Sequence, residues 1–484
     1  MSDQDWKPLL DDLERRSAAA RAMGGAERLA RRRQSAGRLD ARQRIDALLD
    51  AGSFRELGTL VGGEAAPADA FVAGSGAIDG RPVLVGAEDF TVQGGSIGLG
   101  THAKRLRLAQ LAAQERAPLV LLLEGAGERA SNALERYPHA PNDLQALAAL
   151  SGRVPIVAIV MGSSAGHGAL AVPLADYALM VEGAALFAAG PPLVAAATGE
   201  QVDREALGGA HMHASESGVV HDVAVSDADA LALARRYLSY FPANAWQWPP
   251  LAGPGPDTGE RRLDAILELI PADPRKPYDA RALVALVADA GSVLELQARF
   301  GASVVTALAR LAGEPVAVVA NQPLVRAGAI DRDGADKAAR FLDVTGAFHL
   351  PAIFLTDTPG VMVGTAAERS GALRAGARMF AAQTRARGPK LHVTLRKAYG
   401  FGSSIMAMNP FDGQTLVLAL PGASLAAMPG SDVQPGPWSA AETMAYDQVV
   451  DPRELRNALL EGLRLARGRR GAARAPVARV GIRP

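Results

Sequence analysis

The sequence predicts an α/β fold made of two tandem domains related by internal duplication, and three observations predict it. Short apolar runs at 83–85, 119–123 and 156–160 read as buried strands, and helical stretches at 103–115 and 144–151 separate them. Alternation of that kind favours parallel pairing. The string at 117–127, Ala-Pro-Leu-Val-Leu-Leu-Leu-Glu-Gly-Ala-Gly, is echoed at 350–360 by Leu-Pro-Ala-Ile-Phe-Leu-Thr-Asp-Thr-Pro-Gly, an offset of 233 that carries Pro118 onto Pro351. The same offset carries Gly80 onto Gly313, Gly95 onto Gly328 and Lys104 onto Lys337, two of only six lysines. A third match, Pro155 onto Pro389, brings Gly166-His167-Gly168 opposite Gly400-Phe401-Gly402. A proline and glycine cluster at 249–256 would stop any regular element, so the domains are expected at 1–250 and 251–484.

Composition narrows the chemistry. The 484 residues carry 51 basic and 51 acidic side chains and no cysteine. A net charge of zero argues against a nucleic-acid binder. The missing thiols exclude disulfides, thiolate nucleophiles and cysteine-held metals. No secretory signal opens the chain, and the apolar stretch 168–197 is broken by Pro173, Asp176, Glu182, Pro191 and Pro192, so neither export nor membrane spanning is expected and the cytoplasm is the expected compartment.

The first 50 residues set Arg28, Arg31, Arg32, Arg33, Arg38, Arg42 and Arg44 among acids at a helical rhythm. They read as a solvated helix pair packed on the first domain, or as a basic rim near an anionic cofactor. The arginine-rich tail 464–484 is expected to fray.

In each half the most informative feature is a strand running into a glycine turn. The run 154–161 leads into Gly162-Ser-Ser-Ala165-Gly166-His167-Gly168, and 391–396 leads into Lys397-Ala-Tyr-Gly400-Phe401-Gly402-Ser-Ser404. Glycine allows close backbone approach, and a helix start leaves free N–H groups, which is what an oxyanion hole requires. Such a turn can also be purely structural. A third reading is a hydrolase, because Gly162-Ser163-Ser164-Ala165-Gly166 satisfies the nucleophile-elbow pattern, with Asp176 and His211, His213 or His221 following in order. Against it, the repeat places Ala398 opposite Ser164.

Several longer strings carry a family resemblance: Arg38 to Asp50, Asp89-Phe90-Thr91-Val92-Gln93-Gly94-Gly95-Ser96, Lys276-Pro277-Tyr278-Asp279, Ala320-Asn321-Gln322-Pro323, Lys337 to Phe341 and Leu395 to Gly400. Over residues 40–430 the chain resembles the carboxyltransferase (β) subunits of biotin-dependent acyl-CoA carboxylases, the propionyl-CoA and acetyl-CoA carboxylase group. The resemblance implies two crotonase-like domains. It implies that the first turn, through Gly166 and His167, stabilises the enolate of an acyl-CoA, with Gly125, Ala126, Gly127, Ala165, Gly168, Lys104 and Ser404 on the substrate side. It implies that the second turn, through Gly400, Phe401 and Gly402, serves biotin. Carboxybiotin would arrive on a separate carrier or biotin carboxylase subunit, no metal would be needed, and the chain would form a homo-oligomer, a hexamer arranged as a trimer of dimers.

Departures from the family pattern are specific. Ala165-Gly166-His167-Gly168 stands for Ala-Gly-Gly-Ala, and Gly400-Phe401-Gly402-Ser403-Ser404 for Gly-Gly-Ala-Tyr-Asp. Glu124-Gly125-Ala126-Gly127-Glu128-Arg129 stands for Asp-Ser-Gly-Gly-Ala-Arg. Backbone donors survive all of these. His167 and Phe401 add bulk where the family has hydrogen, which suggests strain or a reshaped pocket. An imidazole beside the enolate site is suited to acid–base work, but a packing role for His167, with only its amide serving the enolate, is the preferred reading. A Gly-Ala-Glu-Gly-Ala-Val segment of the family is missing near Met428 to Pro435. A malonyl-type thioester decarboxylase and a non-catalytic acyl-CoA-binding subunit therefore stay open beside the carboxyltransferase.

Overall fold

The computed structural model of the protein describes residues 3–33, 38–132, 143–253, 257–427, 436–470, 478 and 482. The shortened segment 428–435 lies outside the described residues. The chain forms two compact units, Met1–Leu238 and Ser239–Arg483. The division falls at the end of the helix Asp227–Tyr240, ahead of the proline cluster, because the polypeptide after Ser239 already packs within the second unit. The Tyr240 hydroxyl donates to the Ser292 carbonyl, and Phe241 meets Phe348 edge to face at 5.5 Å.

Each unit is one eight-stranded mixed sheet. In the first, β1 (Arg55–Leu57), β2 (Phe71–Ile78) and β3 (Arg81–Glu88) pair antiparallel. From β3 the sheet continues in parallel through β4 (Leu119–Gly125), β5 (Ile156–Ala165), β6 (Tyr177–Val181) and β8 (Asp222–Ala224), with β7 (Ala185–Phe187) beside the end of β5. The second unit repeats this order with β9 (Leu294–Leu296), β10 (Val304–Leu311), β11 (Glu314–Asn321), β12 (Ala352–Thr358), β13 (Lys390–Tyr399), β14 (Leu416–Ala419) and β16 (Gln448–Val449), and β15 (Ser424–Ala426) pairs with β13. Both faces of the parallel strands are covered, which is why β4 and β12 open with continuous apolar runs, at 119–123 and 352–355, rather than alternating ones.

The duplication extends to local detail. The helices Leu99–Glu115 and Arg332–Ala347 follow β3 and β11 through short turns that put Gly95 and Gly328 at φ +66° and +84°. A Cβ at either glycine would collide with the carbonyl of Glu124 or Asp357. Lys104 and Lys337 fall in register because both are structural. The Lys104 ammonium donates to the carbonyls of Ala68 and Phe71, and the Lys337 ammonium donates to Gln297 at 3.2 Å.

The amino-terminal segment forms helices Asp3–Arg21 and Ala26–Arg33 and a capping-box helix, Ala41–Leu48. The tail stays helical through Leu455–Ala466 and Arg467–Arg470, later than its composition suggests, because Leu455, Leu459, Leu460 and Leu463 bury one face of it. No helix among the described residues is long and apolar enough to cross a membrane.

Arg44 ties the Ala41–Leu48 helix to the first sheet. It is 1% exposed and pairs with Glu124 at 2.7 Å and Asp227 at 2.8 Å. Truncating it leaves buried Asp227 without its arginine and Glu124 dependent chiefly on Arg32, so Arg44→Ala is expected to destabilise the first unit by about 3–5 kcal/mol in chemical denaturation.

Candidate active site

β5 and β13 end in the same backbone device. Ala165 and Tyr399 are extended, then Gly166 and Gly400 turn left-handed at φ +56° and +55°, and short helices Gly166–Ala169 and Gly400–Ile405 begin. An L side chain is strained at either glycine. The amides that follow sit at a helix start, where no intrahelical acceptor is available and the dipole favours negative charge. His167 and Phe401 lie outside the left-handed region, so their bulk costs no backbone strain, contrary to the expectation from sequence. The other demanding glycine is Gly402, whose Cβ would lie 2.8 Å from Gly360 Cα.

The loop after β4 closes over the first turn. Ala126 N donates to Gly94 O at 3.0 Å, and the Gly127 carbonyl accepts from Ile97 at 2.8 Å. Gly127 is left-handed at φ +82°, and its Cβ would lie 2.9 Å from Ala165 O. Gly125, Ala126, Gly127, Ala165, Gly166, His167 and Gly168 thus come together in the first unit. Gly400, Phe401, Gly402 and Ser404 come together in the second, with Phe401 and Ser404 exposed. Lys104 is not among them, since its ammonium is spent on backbone carbonyls and burial lowers its pKa to about 8.

Beneath the first turn lies a network of buried charge that sequence reasoning missed. Burial opposes ionisation of Glu124, but Arg44 and Arg32 outweigh it and hold the carboxyl below its usual range. Glu88, fully buried, accepts from the Glu124 amide at 2.7 Å, and burial raises its pKa to about 7 despite Arg105. The second unit fills the equivalent position with neutral Asn321, whose side-chain oxygen accepts from the Asp357 amide at 3.2 Å.

His167 turns toward this network. Its Nε2 is 2.6 Å from Asp143 Oδ1, and the same oxygen is 3.0 Å from His102 Nδ1. Asp143 Oδ2 accepts from Arg105 Nε at 2.6 Å, and His102 Nε2 is 2.9 Å from Glu128 Oε1. Burial opposes the charge on Asp143, but hydrogen bonds from His102 and His167, with Arg105, hold its carboxyl far below the carboxylate range. Burial would lower the His102 pKa, but Asp143 and Glu128 more than reverse it. His102, Asp143 and His167 are ligand types a divalent ion takes. Asp143 Oδ1 is shared by His102 Nδ1 and His167 Nε2, while His167 Nδ1 makes no such bond among the described residues, so the arrangement is a proton-sharing network.

The elbow reading fails on geometry. Ser164 lies in β5 with its hydroxyl buried and unpartnered among the described residues. The Asp176 carboxylate accepts from Ile156 N, His221 accepts from Ala178 N, His213 bridges Ser217 and the Leu186 carbonyl, and His211 is exposed. None reaches Ser164.

Alongside β5 opens a cavity of about 650 Å³ lined by Arg28, Arg31, Arg32, Arg38 and Arg204 together with Gly94, Gly162 and Ser163. The amino-terminal helices therefore supply a basic rim as well as packing. Arg32 and Arg38 are partly consumed by Glu124 and the Met161 carbonyl, and Arg28 donates to Thr91 O at 3.0 Å.

Comparison with known proteins agrees with this arrangement. Residues 32–435 match the carboxyl transferase domain. The methylmalonyl-CoA carboxyltransferase 12S subunit of Propionibacterium freudenreichii subsp. shermanii is 36% identical over 84% of this chain and 78% of its own length. The propionyl-CoA carboxylase beta chain of Roseobacter denitrificans is 35% identical over 93% and 88%. A solved transcarboxylase 12S, described as a hexamer with methylmalonyl-coenzyme A and methylmalonic acid bound, superposes with a TM-score of 0.89 at 32% identity, covering 99% of both chains. The crotonase-like fold is that of these structures.

Glu88 gives this site a pH signature. A carboxyl whose folded pKa lies near 7 against 4.5 binds more protons folded than unfolded, so its contribution to stability falls as pH rises from about 4.5 to 7 and is level beyond. Glu88→Gln, which copies Asn321, is expected to remove that slope, gaining roughly 3 kcal/mol over wild type at neutral pH relative to acid. Parallel stability–pH curves for the two proteins would contradict the assignment.

Proposed function

The chain belongs to the carboxyl transferase domain family, and we propose that it is the carboxyltransferase subunit of a biotin-dependent acyl-CoA carboxylase, moving a carboxyl group from carboxybiotin to the α-carbon of an acyl-CoA. The observation that carries this reading is the pair of left-handed glycine turns, Gly166 and Gly400, at equivalent places in two duplicated sheets. Carboxyl transfer has two partners, and each develops negative charge on an oxygen.

The first turn takes the thioester. Amides of His167 and Gly168 face the carbonyl oxygen and hold it as the α-carbon gives up its proton. Because the donors are fixed in the backbone, they need no reorganisation as charge develops, and losing one such donor costs about 2.7–4 kcal/mol. Gly125, Ala126 and Gly127 pack over this turn and exclude water from it. The arginine-lined cavity beside β5 supplies charge complementary to the coenzyme A phosphates.

The second turn fits the ureido oxygen of biotin in the same way. Gly402 is needed there because any side chain would strike Gly360, and the amides of Phe401 and Gly402 stay at the helix start. When bound, carboxybiotin supplies the carboxyl group and a basic nitrogen, so neither turn requires a side-chain base for transfer. Biotin arrives on a separate carrier subunit, the chain works in the cytoplasm, and it assembles as a hexamer, a trimer of dimers, with the first unit on the thioester side and the second on the biotin side.

Pure protein given free carboxybiotin and acetyl-, propionyl- or longer acyl-CoA should yield the carboxylated thioester, followed by mass. Gly402→Ala, which crowds Gly360, should lower transfer from carboxybiotin at least about tenfold more than it lowers α-proton exchange of a bound thioester in deuterated water. Equal losses in both assays with folded protein would contradict the division of labour between the turns.

A further inference from the structure

The first turn carries something the second lacks. The two turns share their backbone, and the duplication pairs every member of the histidine cluster with an apolar residue or glycine. Phe401 stands at the place of His167, Ala335 at His102, Val361 at Glu128 and Gly376 at Asp143. The pairing is spatial as well as numerical. Ile97 bridges to Glu128 as Ile330 bridges to Val361, and Gly376 lies beside the Phe401 ring as Asp143 lies beside His167. The Phe401 side chain is exposed, whereas His167 is turned inward and only 12% exposed. The scaffold therefore builds this turn without any titratable group, and the polar cluster of the first unit is an addition to it.

Its geometry orders the imidazole. Asp143 Oδ1, 2.6 Å from His167 Nε2, takes that nitrogen's proton into a hydrogen bond and fixes the ring, as a carboxylate does for a catalytic imidazole. The other nitrogen, Nδ1, is left for chemistry, 4.0 Å from Glu128 Oε2. His102 stands edge-on to His167 at 4.7 Å between ring centroids and joins Asp143 to Glu128, which is partly exposed. A chain of proton-carrying groups thus runs from the turn to the protein surface. We propose that the His167 imidazole is a catalytic proton donor and acceptor for the α-carbon of a thioester held at the first turn, giving this chain carrier-independent α-proton exchange and decarboxylation of malonyl-type thioesters. The proposal rests on the reading of the first turn as the enolate site.

Both reactions balance on the groups present. In exchange, neutral Nδ1 takes the α-proton, the C–H electron pair becomes the enolate held by the turn amides, and the proton trades with solvent by way of Glu128 before one returns to carbon. In decarboxylation, the bond from the α-carbon to the carboxylate breaks, CO2 leaves, the electron pair becomes the same enolate, and protonated Nδ1 delivers a proton to carbon and is recharged from solvent. Asp143 and His102 position the ring and do not touch substrate. Among the described residues, the charged groups facing His167 are Asp143, Glu128 and His102, with Arg105 behind Asp143 and Glu88 Oε1 beside Gly168.

Because exchange needs the neutral ring and decarboxylation the protonated one, their pH dependences run in opposite directions. The test follows the wild-type protein with propionyl-CoA in deuterated water and with methylmalonyl-CoA in the absence of biotin, across about pH 5 to 9. Exchange should rise with pH and decarboxylation should fall. His167→Gln should lower both by about 10²- to 10⁴-fold, with thioester affinity by calorimetry held within about threefold. Imidazole added to His167→Gly should restore part of the exchange, which a packing role would not allow. The proposal is overturned if wild-type protein binds thioesters and accepts carboxyl from carboxybiotin yet shows neither reaction, if the two pH profiles run parallel, or if His167→Gln keeps both rates within about threefold. Failure to bind any thioester would instead remove the enolate-site reading, and this proposal with it.

Discussion

A single backbone constraint organises both units: at the end of the central parallel strand the chain must turn left-handed before it can start a helix. Gly166 and Gly400 meet it at φ values one degree apart. A β-carbon at either position would be strained, and a relaxed backbone would swing the following amides away from the strand end. The sheets serve this turn. Strands buried on both faces fix where β5 and β13 end, and their register shifts opposite Leu123/Gly125 and Thr356/Thr358 splay the neighbouring loop over it. Buried Glu124 and Asp357, each held by arginine, pin that loop from below.

The two turns share one backbone, and the side chains around them are free to diverge. The second unit uses that freedom to line its turn with Ala335, Val361, Gly376 and Phe401. The first uses it to install His102, Glu128, Asp143 and His167 in the same frame. Neutral Asn321 and a Glu88 pushed toward neutrality solve one hydrogen-bonding problem in two ways.

Much of this was legible in the sequence. Apolar runs at 119–123 and 156–160 became β4 and β5, the repeat offset became matching sheets, and the two glycine turns fell where strand met helix. Three things were not legible, each for a physical reason. The partnership of His167 with Asp143 and His102 joins residues 24 to 41 positions apart in a way only the closed sheet creates. The resemblance put Lys104 on the substrate side, whereas its ammonium, like that of Lys337, holds carbonyls of left-handed backbone near Ala68 and Gln297. Ala68, Asp69 and Ala70 adopt φ between +47° and +58° without glycine, so no residue type announced them.

The proposed division of labour stands or falls on whether the turn after β5 binds the thioester oxygen through its amides. The most direct measurement is a crystal structure of the protein with a non-enolisable acyl-CoA analogue. The acyl carbonyl oxygen is expected within hydrogen-bond distance of the His167 and Gly168 amides, with the phosphates toward the arginines of the cavity beside β5. An acyl carbonyl seated elsewhere, with those two amides facing only water, would contradict it.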